Sequence, residues 1–327
     1  MPIDVVIRGI LSPLFIASIL RISTPIILPA LGGLISDLAG VINIALEGIM
    51  LVSAFTGVIV SAYTHNVWLG VLAGMVVGTL YALLLALFHL YLDTDIILAG
   101  IALNIMAQGG TIFLLFILTG DKGNSSTLAS GAVPNVTIPF IDGIPWLGTI
   151  FSGHNIFTYL AFIFAGLVYV FLYKTPLGVH LRAVGENPVA AESVGINVKR
   201  TQAIAIALSG FLASLGGLSL SMAYLTLFQN NMTAGRGFIA LAAVFLGGRT
   251  PLGTTIASII FGFADALANQ FGSLDIPPQW VQMIPYAATV IALVIYSLRQ
   301  QAQQRERLRR FQEGEITDTK TAEAGSD

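Results

Sequence analysis

Cysteine is missing from the 327 residues. The chain therefore has no disulfide framework, no thiol nucleophile and no cysteine for lipid attachment, and it carries no sign of the redox state of its compartment. Charge is scarce: acidic and basic residues make up 10 % of the chain, against roughly a quarter in a soluble domain. The net charge of -2 also hides a segregation, because six of the fifteen Lys and Arg residues and six acids lie after Leu298. No strongly basic face is left for nucleic acid. No GxxxxGK[ST] run exists to cradle a nucleotide. His65, His89, His154 and His180 are scattered without metal-ligand spacing. No Ser/His/Asp or paired-carboxylate arrangement stands in a plausible aqueous site. The Gly-rich stretches follow no strand and open no dinucleotide-binding unit. The expectation is a protein without catalytic residues, bound cofactor or metal, whose energy comes from an ion gradient or from a partner.

What is present is apolar sequence, 55 % of the chain. A membrane span needs about 20 predominantly apolar residues. Candidates are Leu14–Ile35, Ile44–Tyr63, Trp68–Tyr91, Ile96–Leu118, Ile156–Tyr173, Thr201–Tyr224, Phe238–Leu246, Leu252–Phe271 and Val281–Leu298. The seventh is too short to cross alone and reads either as a half-helix or as part of a span completed by its flanking residues. The predicted fold is an all-α polytopic membrane helix bundle of eight or nine spans over residues 1–299, with a polar tail over 300–327. The apolar run of the first 35 residues is followed by no small-residue cleavage site and reads as a retained first span.

Orientation follows from Lys and Arg, which favour the cytoplasmic side. The 174–200 loop carries Lys174, Arg182, Lys199 and Arg200, and the tail carries Arg299, Arg305, Arg307, Arg309, Arg310 and Lys320. Both are expected in the cytoplasm. The 119–155 loop has Lys122 as its one base and is expected outside. Nine crossings put the N-terminus outside and eight put it inside. The tail is expected to begin as a helix and to end disordered. It is a topology anchor, or an inner-leaflet contact through its Arg cluster.

Three places interrupt the apolar sequence: Leu31–Gly48, Gly235-Arg236-Gly237 and Leu246–Gly253. Irregular backbone at membrane depth must be buried in protein or line a watery cavity, and in transporters such breaks mark substrate sites. The third, LGGRTPLG, reads equally as a tight turn at the membrane surface. Polar residues four apart share a helix face, which groups Asn43 with Glu47, Asn104 with Gln108, and Asp265 with Asn269. These pairs are expected to face a pathway or the bundle interior. The set is amide-rich with no basic member, which favours a polar uncharged cargo over a phosphate. Each has a structural alternative: Asn104 and Gln108 as interhelical bonds, Asp265 as a partner protonated by burial, Glu47 as a clamp between the broken segment and a neighbour.

The 174–200 loop is turn-rich and charged. Within it Asn187 suits a helix N-cap, Pro188 the first helical position and Gly195 a left-handed exit. A two-turn helix there would be roughly 10 Å long.

Three motifs carry a family resemblance. Arg182-Ala183-Val184-Gly185-Glu186-Asn187-Pro188, followed by Ala190-Ala191 and Gly195-Ile196, matches the cytoplasmic coupling segment of permease subunits from bacterial ABC importers of the simple-sugar, nucleoside and branched-chain amino-acid group. Gly40–Gly48, GVINIALEG, resembles the VNIGLEG signature of the nucleoside-type branch, with Ala45 in place of the usual Gly. Leu246–Gly253 is similar to the family's late Gly/Pro segment. The resemblance implies an ATP-driven importer permease for nucleosides, purine nucleosides in particular. It implies a second related permease as heterodimer partner, an ABC ATPase that holds ATP and Mg and can be a fused double domain, and an extracytoplasmic substrate-binding lipoprotein. It implies that Arg182, Gly185, Glu186, Asn187, Pro188, Ala190, Ala191 and Gly195 couple to the ATPase. A simple sugar or branched-chain amino acid is the alternative cargo. An ion-coupled secondary transporter is the alternative class.

Overall fold

The structure, a computed structural model, describes residues 12–128, 130–139 and 146–271, with Val294. It is a helix bundle. The long helices are α1 (Pro13–Leu38), α2 (Leu46–Thr64), α3 (Val67–Ala86, prolonged by a π-helical turn Leu87–Tyr91) and α4 (Ile96–Thr119). The 119–155 loop holds a two-stranded ribbon, β1 (Asn135–Val136) antiparallel to β2 (His154–Asn155), with the single-turn helix α5 (Leu147–Phe151) between them. Then come α6 (Ile156–Lys174), α7 (Pro176–Glu186), α8 (Pro188–Ser193), α9 (Val198–Ser219, with a π-helical turn Leu220–Tyr224), α10 (Arg236–Leu246) and α11 (Pro251–Phe271).

Local chemistry sets the starts of these helices. Asn66, Asp95, Asn155, Asn187 and Asn197 each accept a backbone N–H of the first turn they precede, the bond that an N-cap supplies. Helix α1 runs straight through Pro25 and Pro29, held by burial on all sides. It packs on α9 and α11, and α2 packs on α3, α9 and α4. Close approach is bought with small residues, as expected where lipid supplies no hydrophobic drive between helices. At Gly217 of α9, for example, a Cβ would overlap the backbone carbonyl of Met50 in α2.

Seven helices among the described residues are long and apolar enough to span a membrane. Helix α10, with 11 residues, is about 16 Å long, half of a hydrocarbon core of roughly 30 Å. The segment before it starts at one end of the bundle, where Ser125 and Phe228 exchange two hydrogen bonds. The turn after α10 lies at the other end, where Arg249 meets Asp37 near the close of α1. Residues 225–246 thus cross the fold as a loop followed by a half-helix. The expected ninth span, Val281–Leu298, and the polar tail lie outside the described residues.

Several expectations need correction. The first interruption is shorter than Leu31–Gly48, because α1 stays helical through Leu38 and the break is confined to Ala39–Ala45. The LGGRTPLG segment is a tight turn between α10 and α11, with Gly248 and Arg249 both at positive φ (64° and 56°), and not a break at depth. The 174–200 island holds two helices, and α8 is six residues long, shorter than two turns. Helix α7 had its own signature: Thr175 accepts the Gly178 N–H as N-cap, Pro176 takes the first position, and Gly178, Leu181 and Val184 form the buried face.

Candidate functional site

The bundle's polar centre is built around the N-terminus of the half-helix α10. The Glu47 carboxylate accepts the Gly235 N–H through Oε1 (2.8 Å) and the Gly237 N–H through Oε2 (2.7 Å). It neutralises the positive end of the helix dipole and satisfies two orphan donors together. Gly237 is obligatory here, since a Cβ on it would sit 2.5 Å from the Glu47 backbone nitrogen. The Arg236 side chain points away from Glu47 and forms an ion pair with Asp265 of α11 (3.0 Å). A basic member therefore does join the polar set, contrary to the reading from the sequence pairs, and Asp265 is partnered by a cation.

The backbone break at Ala39–Ala45 is satisfied from its neighbours. Asn43 is fully buried; its Oδ1 accepts the Ala45 N–H (3.1 Å) and its Nδ2 donates to Ser209 Oγ of α9 (2.9 Å). Asn104 of α4 accepts the Gly48 N–H (2.7 Å) and donates to the Ile44 carbonyl (2.9 Å). Both amides therefore hold the break together.

A cavity of about 270 Å³ lies beside this centre, lined by Glu47, Asn104, Gln108, Asn231, Thr233 and Phe238 among others. It unites Glu47, Asn104 and Gln108 of the sequence-predicted set. Asp265 is not among its lining residues, and Asn269 is an exposed residue one turn further along α11. Asn231, Thr233 and Phe238 were missed. The run of amides, hydroxyl and glycines in QNNMTAGRG, between two apolar stretches, was the available signal. On the other side of Arg236 lies a second, more polar cavity of about 270 Å³, lined by Arg21, Thr24, His154, Thr158, Ser219 and Arg236 among others. No cluster of three metal-ligating side chains occurs among the described residues.

At the opposite pole of the helix α1 break stand α7 and α8. Gly185 touches Gly40: a Cβ on Gly185 would overlap the Leu38 carbonyl and lie 3.0 Å from the Gly40 nitrogen. Gln202 donates to the Ala39 carbonyl (3.2 Å), and Arg182 lies over the Tyr173 ring (4.8 Å). Ala191 is buried at 4 % exposure. Arg182, Gly185 and Ala191 thus attach the loop to its own bundle. Glu186, Asn187, Pro188, Ala190 and Gly195 face outward, flanked by the exposed Val189 and Val194.

A bundle of membrane-spanning helices with a discontinuous helix at its centre and an outward knob on one face is the framework of a transport protein. The family model described as "Branched-chain amino acid transport system / permease component" matches residues 15–293, and the chain belongs to that family. It is similar to the guanosine ABC transporter permease protein NupQ of Bacillus subtilis, with 36 % identity over 83 % of this chain and 88 % of that one. It is also similar to the nucleoside ABC transporter permease protein NupC of Lactococcus lactis (35 %; 86 % and 92 %) and to the putative glucose ABC transporter permease protein TsgC13 of Haloferax volcanii (33 %; 78 % and 76 %). The chain is a multi-pass membrane permease of the ABC type, a transport component that works with ATPase and substrate-binding partners, and not an enzyme.

Proposed function

We propose that the chain forms the translocation pathway of an ATP-driven importer of nucleosides, with purine nucleosides as the cargo. The observation that carries the cargo reading is the chemistry of the cavity beside α10. Its lining combines the Gln108 and Asn231 amides, the Thr233 hydroxyl and the Phe238 ring with an apolar wall of Leu51, Ile101 and Ile105, and its one charge, Glu47, is consumed by the α10 N-terminus. Such a surface suits a polar uncharged solute, and the similarity to permeases named for guanosine and nucleosides agrees. Gln108 sits near the middle of α4 with its side chain exposed. An amide there faces a hydrated path or a second subunit rather than lipid, so the pathway runs along this face, between the chain and a second, related permease.

The α7–α8 face is the docking surface for an ABC ATPase that carries ATP and Mg, in one reading as a fused double domain. Lys174, Arg182, Lys199 and Arg200 favour the cytoplasm for this face, the 119–155 loop then meets the binding lipoprotein outside, and nine crossings leave the C-terminus cytoplasmic. Uptake of labelled guanosine, adenosine, ribose and leucine, in cells with and without the gene, tests the cargo. Gene-dependent uptake of the nucleosides alone is expected, and uptake of ribose or leucine instead would overturn the reading. Uptake that persists without an ATPase partner and collapses with the ion gradient would sink the ABC mechanism.

A further inference from the structure

We infer that the cavity beside α10 is a recognition site for a nucleobase and its sugar, so that the permease itself, and not only its binding protein, discriminates cargo. The inference rests on the nucleoside reading above. Counting hydrogen-bonding groups defines the site. Both oxygens of Glu47 are engaged with α10, and Asn104 is engaged on both its oxygen and its nitrogen. Left over are the Gln108 amide, the Asn231 amide and the Thr233 hydroxyl, none with a side-chain partner among the described residues. Thr233 is the telling member. Its residue is fully buried, it lines the cavity, and its Oγ1 has no hydrogen-bond partner. A buried hydroxyl left unpaired is costly and is normally satisfied by protein, water or ligand.

The rest of the lining specifies what that ligand is. Phe238 is 49 % exposed at the first turn of α10 and offers an aromatic face on which a planar base can stack. Leu51, Ile101 and Ile105 supply an apolar wall. An amide donates and accepts side by side, as Gln and Asn do against the N6/N7 edge of adenine, and Gln108 and Asn231 offer such amides to a base edge that does the same. No Lys or Arg lines the cavity, so a nucleotide's phosphate has no cation to meet and is rejected. The volume of about 270 Å³ lies just below the roughly 300–1,000 Å³ of ligand pockets, which restricts the site to a small ligand.

The test uses the permease assembled with its second permease and ATPase in lipid nanodiscs, without the binding lipoprotein. Equilibrium binding of radiolabelled guanosine is measured on the wild type, Gln108→Leu and Phe238→Ala. Saturable binding is expected for the wild type. Each variant, once assembled, should weaken it by about tenfold, the loss of one paired amide or one stacked base. GMP should not compete. Where Gln108→Leu fails to assemble, Phe238→Ala, altered at an exposed position, decides alone. A wild-type complex that imports guanosine with its binding protein yet binds none without it overturns this inference and leaves the nucleoside reading standing. Unaltered guanosine binding in an assembled variant does the same. A complete transporter that imports ribose and no nucleoside removes the reading beneath it.

Discussion

Glu47 and Asn104 both close backbone groups around the same break, yet their removal exposes very different things. Asn104 makes two neutral bonds, the kind that contributes roughly 0.6–2 kcal/mol each between membrane helices. Glu47 makes two charge-assisted bonds to the positive end of α10. Removing it leaves the two N–H groups at the start of α10 without their acceptor, at roughly 1–3 kcal/mol each where they are buried. It also strands Arg236, whose backbone lies between the two glycines that Glu47 holds. Glu47→Ala should therefore lower the thermal unfolding midpoint in detergent much more than Asn104→Ala. Glu47→Gln, which keeps one acceptor for the two donors, should fall between them. Equal midpoints for the two alanine variants would show that the clamp does not hold α10. Asn43, expected on the same helix face as Glu47, lies in the break before α2. Glu47 reads from the sequence as a clamp and holds α10 by two bonds. Its partner could not be read, because Gly235 and Gly237 lie 188 and 190 residues away and no local periodicity links them. The Arg236–Asp265 pair escaped for the same reason: Arg236 stood out as part of an interruption of the apolar sequence, and nothing in the spacing connects it to α11.

Among elements, the long spans were legible because 20 apolar residues leave few alternatives, and the half-helix was legible because 11 residues cannot cross. Helix α7 was obscured by the charged residues around it, although its cap and its i, i+3 apolar face follow ordinary rules. Its presence changes what α8 is. Asn187 closes α7 and caps α8 together, so the two helices form a rigid elbow, and Gly185 in α7 fixes that elbow against Gly40. Two adjacent alanines then have opposite tasks. Ala191 faces the bundle at 4 % exposure and Ala190 faces outward. Ala191→Arg should unseat the helix and lower both the amount of folded permease and its uptake. Ala190→Arg should leave the folded permease intact and abolish ATP-dependent uptake by blocking the ATPase. Size-exclusion yield and nucleoside uptake, measured side by side, separate the two effects. Normal uptake by Ala190→Arg would remove α8 from the ATPase contact.

For the whole molecule these contacts form one unbroken sequence from the α8 knob to the cavity. The elbow at Gly185 abuts the break after α1, Asn43 and Asn104 bind that break, Glu47 opens α2 at its end, and Glu47 grips the start of α10, where Thr233 and Phe238 line the cavity. A displacement of the knob by an ATPase has a continuous packed route to the cargo path, which is what coupling requires of a chain with no nucleotide site of its own. The route serves import only if the knob faces the cytoplasm and the 119–155 loop faces the exterior. The absence of cysteine from all 327 residues makes that checkable without a background. Thr127 in the long loop and His180 on α7 are both exposed. In right-side-out vesicles a membrane-impermeant maleimide should label Thr127→Cys at once. It should reach His180→Cys only after the membrane is permeabilised. The reverse pattern would invert the bundle. It would put the knob where no ATPase can reach it, and the coupling role of α8 would fall with the topology.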